Sequence, residues 1–331
     1  MLGSETASEL IGPAFSASRV VREADLEREL AVLRNSATES CAGVFGPSSM
    51  MWRVDKEAAI FLGAGRALLL QLAHPWIAAA ITQHSRTLAD PIGRFHRTFD
   101  AMFRMVFGTT EQALAAARRL YRRHAGISGT LVETAGPFAA GSRYAANEIA
   151  ALSWVHATLV DTALLAHGLM HPPLSTEDRE RYWAEARLFS GFFGILPDAL
   201  PPSWADFAAG NERMLRSDVL AVSDEARRIA EAVLSGTGSR LPIPSWYRAL
   251  TARLLPARLR DDFRLPYGEP ERRASERALA VLRRIYPWVP GRLRHVGPYQ
   301  EARARLAGRQ RPGMTTQLLN RLWIGRKSMA G

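Results

Sequence analysis

A histidine on an otherwise apolar helix face needs a partner for each ring nitrogen, and His124 stands in that position. At about 100° per residue over 111–128, Leu114, Ala117, Leu120, Tyr121 and His124 share one arc. Arg118, Arg119, Arg122 and Arg123 take the opposite one. The partner of a buried imidazole could be a carbonyl, a carboxylate or a metal ion. Over 93–107, Phe95, Phe99, Met102, Met105 and Val106 form a second apolar arc, with Thr98 inside it and Arg94 at its edge one turn earlier. An arginine there can pair with a carboxylate bound on that aromatic, Met-rich surface, or reach past it to water. Arg66 is a third case. It lies in AIFLGAGRALLLQLA, and no Asp or Glu occurs between Glu57 and Asp90. Its partner must be a distant acid or a cofactor propionate. His167 and His171, spaced i and i+4, could share a metal, but they abut Pro172-Pro173 and no third ligand is evident.

Helices must position these residues. Apolar residues recur with helical period near 55–73, 76–87, 92–107, 111–127, 146–169, 176–193, 203–216, 223–235, 245–254, 271–285 and 299–307. Breaks fall at His74-Pro75, Asp90-Pro91, Gly108, Gly136-Pro137, Pro172-Pro173, Pro201-Pro202 and Leu241-Pro242. No period-2 strand series and no internal repeat interrupts the pattern, so the expected fold class is all-α. The expected division is a polar N-terminal leader over 1–45 with one amphipathic helix near Glu23–Arg34, a helical domain over 46–307, and a C-terminal tail over 308–331.

Composition narrows the chemistry. Hydrophobic residues make up 47% of the 331 and charged residues 23%, which excludes disordered and fibrous classes. One cysteine, Cys41, can form neither an internal disulfide nor a thiolate metal cluster. The start of the chain has no basic-then-apolar secretory pattern, and a cytoplasmic location is expected. The most apolar stretch, 58–73, contains Arg66 and Gln71 and is too short to span a bilayer. Net charge is +11, with 20 basic and 6 acidic residues in 240–331. That bias fits either arginine-rich genomic composition or a basic surface for anionic lipid, so a peripheral membrane contact is open; no nucleic-acid motif accompanies it. No P-loop, nucleophile elbow, H-E-x-x-H, Glu-x-x-His pair or C-x-x-C-H is present. Gly63 and Gly65 read as close helix packing. What survives is a non-covalent cofactor on one axial histidine, or no cofactor.

Six segments in a fixed order then carry a family resemblance: GAGRALLLQLAHPWIAAAITQHS, DPIGRFHRTFDAMFRMVFGT, YRRHAGISG, RYAANEIAALSWVHATLVDT, LSTEDRERYWAEARLFSGFFGI and LLPARLRDDFRLPYGEPER. From about Trp52 to Leu306 the chain resembles the rubber oxygenase (latex-clearing protein) and MpaB-like oxygenase family. The resemblance implies an all-helical, globin-like core around haem b. It implies that His124, in the H-x-x-[VI]-x-G motif completed by Ile127 and Gly129, is the axial ligand to the haem iron. It implies further that Arg94 and Thr98 are the R-x-x-x-T pair supporting the haem site, and Arg66 is a candidate second anchor for an anionic group. The implied activity is oxidation of an apolar substrate by dioxygen, in relatives by cleavage of isoprenoid carbon–carbon double bonds.

Two departures qualify it. The family's rubber oxygenases place a glutamate upstream of the R-x-x-x-T pair, whereas 58–89 contains no acid; Gln83 and His84 are the nearest polar candidates, and His84 is the distal candidate. Rubber oxygenases are secreted, and this chain shows no signal. Both point to a smaller isoprenoid, lipid or secondary metabolite in place of polyisoprene. Two other readings stand beside the oxygenase: a non-catalytic haem sensor, and a cofactor-free helical lipid-binding protein.

Overall fold

Proline and glycine punctuation divides the chain into helices, most of them where expected; the 55–73 segment is a 3-10 stretch, Ala58–Gly63, followed by a shorter α-helix, and further helices lie at Met50–Asp55, Ala257–Asp262, Gly291–Arg294 and Met314–Ile324. The computed structural model describes residues 19–85, 90–236 and 243–330; the first part of the leader and the Leu241-Pro242 break lie outside them. Helices α1 (Glu23–Ser36), α2 (Met50–Asp55), α3 (Ala64–Leu72), α4 (Pro75–His84), α5 (Pro91–Phe107) and α6 (Thr110–Ala125) come first. A hairpin of β1 (Ser128–Thr130) and β2 (Arg143–Ala145) is next. Then come α7 (Ile149–Met170), α8 (Thr176–Phe189), α9 (Trp204–Arg216), α10 (Asp224–Ser235), α11 (Ser245–Leu254), α12 (Ala257–Asp262), α13 (Glu269–Ile285), α14 (Gly291–Arg294), α15 (Gly297–Leu306) and α16 (Met314–Ile324). The fold is all-α. The hairpin is the one departure among the described residues, and strands of three residues are too short to write a period-2 pattern.

Local chemistry sets the helix ends. Asp90 caps α5, accepting from the Gly93 amide at 2.9 Å, and Pro91 at the first helical position needs no amide partner. Thr109 and Gln112 form a capping box at the start of α6. The His74-Pro75 break turns the chain through 98° between α3 and α4.

Helix α7 lies between two apolar cores. One takes Leu152 and Val160 and joins α1, α2, α5, α6 and α8. The other takes Trp154 with α3, α4, α9, α10 and α12. By length and composition α7 is the one described helix that could cross a membrane, but here it is a packed core helix. Its Ser153, His156, Thr158 and Thr162 are all buried. Gly63 and Gly65 allow the close approach expected of them. A Cβ at 63 would lie 2.4 Å from Thr162 Cγ2, and one at 65 would lie 2.4 Å from Thr251 Oγ1. Gly65→Ala should therefore cost about 1–3 kcal/mol by overpacking, read as a lowered urea midpoint at unchanged slope.

The flanks set apart in the sequence are built into the same body. Leu26, Leu30 and Leu33 of α1 are buried in the first core. Arg118 grips Glu27 with two bonds of 2.7 and 2.6 Å, so part of the arginine face of α6 is covered by α1. At the other end, Trp323 of α16 stacks on Phe61 at 4.1 Å, and Glu301 holds Asn320, Ser328 and the Met329 amide.

Candidate cofactor-binding cleft

Four helices bring the resemblance-derived residues to one place. Residues of α4, α5, α6 and α7 line a cleft of about 250 Å³. His84, Arg94, Thr98 and His124 all face it. Its apolar wall includes Ile77, Ile81, Met102, Leu120, Leu152 and Leu159. A mostly apolar concavity with a few convergent polar groups is the usual form of a small-molecule or cofactor site.

His124 sits in the last turn of α6 and is half-buried. No group among the described residues hydrogen-bonds its ring. Desolvation, with the Arg123 charge beside it, lowers its pKa from 6.5 to about 4. The imidazole is thus neutral at pH 7, with a lone pair free to ligate.

Arg94 lies one turn before Thr98 on α5 and donates to Ser85 Oγ at 3.1 Å. Burial, reinforced by the like charges of Arg123 and Arg97, lowers its pKa to about 10. Arg97 is paired with Asp90 at 3.0 Å. A desolvated guanidinium crowded by cations favours a bound anion. Thr98 presents its side chain to the cleft.

His84 is exposed on the cleft wall, 3.0 Å from the Ser128 carbonyl. That carbonyl can only accept, so Nε2 is the donor of this pair. Gln83 is spent elsewhere: it donates to Thr130 O and accepts from Tyr144. The hairpin thereby fixes the end of α4 beside the cleft.

Arg66 is not brought to this cleft. Its guanidinium lies 2.6 Å from Asp161, donates to Thr162 Oγ1 at 2.6 Å and reaches Leu254 O at 2.9 Å. The distant acid, not a cofactor propionate, is its partner. His167 and His171 stack at 4.4 Å, and His171 lies 3.5 Å from Glu57, the hub that also holds Tyr286, Arg294 and His295. No group of three metal-ligating side chains occurs among the described residues.

Two cleft residues were not singled out from the sequence. Gln71, the lone amide in an apolar helix, lines the cleft and donates to Thr158 Oγ1 at 3.0 Å. Arg123, placed on the charged arc, also lines the cleft, because a long side chain near a helix end can reach round to the adjoining face. The lone amide was a usable signal; for Arg123 helical angle alone misled.

The family model described as ER-bound oxygenase mpaB/B'/Rubber oxygenase, catalytic domain, matches residues 52–290. Comparison with curated proteins and with solved structures gives no significant match.

Proposed function

Because the chain belongs to the mpaB/rubber oxygenase catalytic-domain family, we propose that it is a haem b-dependent oxygenase acting with dioxygen on an apolar small molecule, of isoprenoid, lipid or secondary-metabolite type. One observation supports the haem reading above the others: a neutral, unpartnered imidazole and a desolvated arginine share an apolar cleft. The residues fit the group. His124 would ligate iron through its free lone pair, and Arg94, with Arg123 at the rim, would receive the propionates. Haem, when bound, supplies the oxygen chemistry.

The chain's own residues supply the rest. The apolar walls desolvate and orient a hydrocarbon substrate. His84 and the Gln71 amide, with Ser85 and Thr98, are polar groups on those walls able to orient a polar atom. The absence of an acid over 58–89 leaves double-bond cleavage as one form of the oxidation proposed.

A visible spectrum and an iron assay of the purified full chain, before and after haem reconstitution, test this reading. A Soret band with near-stoichiometric iron is expected. No Soret band after reconstitution would sink it. Substrate-dependent oxygen uptake then separates oxygenase from sensor.

An apolar substrate also implies supply from a lipid phase. Ile285, Trp288 and Leu293 are 52%, 85% and 57% exposed, among the arginines of α13 and α14. An exposed tryptophan with apolar neighbours and flanking arginines suits peripheral contact with anionic lipid. Co-sedimentation with phosphatidylserine vesicles should exceed that with phosphatidylcholine alone and fall in Trp288→Ala; equal recovery on both would rule the contact out.

A further inference from the structure

Beside the cleft, on the far side of Met102 and Leu159, lies a second chamber of about 120 Å³. Both side chains line both spaces, so two flexible groups form the partition. The chamber wall is mostly apolar, with Ile60, Phe61, Phe103 and Val160 among its residues; besides one acid it carries Thr162, Tyr182 and His156, whose Nε2 is held by Ala186 O at 2.7 Å while its Nδ1 has no partner among the described residues. Its volume is near that of the roughly 150 Å³ apolar cavity that takes up benzene.

One carboxyl faces this apolar space. Asp55 closes α2, is half-buried, and is one of the residues that line the chamber. Tyr182 donates to Asp55 Oδ1 at 3.2 Å. The other oxygen has no partner among the described residues, and no cation among them neutralises it. Glu185, an acid close enough to act on Asp55, is consumed by the Met50 and Met51 amides at 3.0 and 2.6 Å. A structural carboxyl would be tied off as Glu185 is; Asp55 is half tied and half offered.

We infer that this chamber seats the hydroxyl end of an apolar alcohol, with the hydroxyl donating to the free oxygen of Asp55 and the hydrocarbon passing Met102 and Leu159 toward the cleft. The lowest-cost partner in so apolar a place is a neutral donor, since an ammonium would have to shed its water. Burial raises the Asp55 pKa from 3.8 to about 7, so the carboxyl can be protonated near neutrality and then also donate. The inference names the substrate class of the proposed oxygenase; it rests on that reading for the oxidation of the bound alcohol, not for the binding itself.

The test measures binding of phenol, toluene and cyclohexylamine, matched in size, to the purified full chain by ligand-observed NMR. Phenol should bind about tenfold more tightly than toluene, the worth of one hydrogen bond. Asp55→Leu should erase the preference while keeping toluene binding. Asp55→Asn, which retains an acceptor, should keep part of it. Ala163→Leu, which narrows the chamber, should weaken both ligands. Equal affinity for phenol and toluene in the unaltered chain, a preference that survives Asp55→Leu, or tightest binding of cyclohexylamine would each overturn the inference, and the first and third need no variant. Haem content is read on the same samples. Protein that takes up no haem but prefers phenol loses the oxygenase reading and keeps this one; haem-loaded protein without the preference does the reverse.

Discussion

His124→Ala should abolish the Soret band and reduce bound iron to background, with no loss of helical content. The axial ligand would be gone, and even outer-shell partners of metal-ligating histidines are worth about 10–100-fold in affinity, so a fall of at least about 100-fold is expected. The fold should tolerate the change because the ring makes no hydrogen bond to the described residues and its burial is a desolvation cost, not a gain. Added imidazole should restore part of the band. The pH dependence has a definite sign. The pKa is depressed to about 4, so the ring stays neutral from pH 7 down to about that value. Haem should be retained through pH 6.5, where an ordinary histidine would begin to be lost to protons. A Soret band unchanged in His124→Ala would move the ligand elsewhere.

Arg66→Ala and Arg94→Ala should fail in opposite ways. Arg66 is 4% exposed and carries Asp161, Thr162 and Leu254 on one guanidinium. Removing it leaves those groups without their cation, at a cost of about 3 kcal/mol. That is the low end for a broken buried pair, because the Asp161 side chain is 24% exposed. Denaturant unfolding should show this loss, and the molecules that remain folded should still take up haem. Arg94→Ala should lose less stability, since it also relieves the crowding with Arg97 and Arg123. Its effect should fall on haem, weakened roughly 10–100-fold if one charge-assisted bond to a propionate is worth about 1.5–3 kcal/mol. Equal haem loss in the two variants, matched by equal instability, would show that both are merely structural.

The contrast between these arginines shows what the sequence can and cannot say. Arg66 sits in an apolar helix and Arg94 at the edge of the apolar arc of an amphipathic one, and composition alone leaves the same question open at each. For Arg66 the answer is Asp161, on a helix some ninety-five positions away, and pairings at that separation are not encoded in any local pattern. For Arg94 and His124 the helical period places each on the apolar side of its own helix, and the structure puts both on one cleft; the roles proposed for them come from the family resemblance. Helix existence followed from periodicity and from Pro and Gly punctuation, and the glycine pair Gly63 and Gly65 packs as closely as residues without side chains allow. Asp55 was invisible. It stands in a short helix, among ordinary neighbours, and matters only because α5, α7 and α8 close a chamber around it.

That chamber has a mechanical consequence as well. A core that encloses space its own side chains do not fill is larger than the sum of its parts, and unfolding releases the difference to the solvent. Compression therefore acts on this protein as a denaturant directed at its unfilled spaces, of which the chamber is one. An occupant of the chamber would oppose it, so that hydrostatic pressure reports on filling without any reference to colour or turnover.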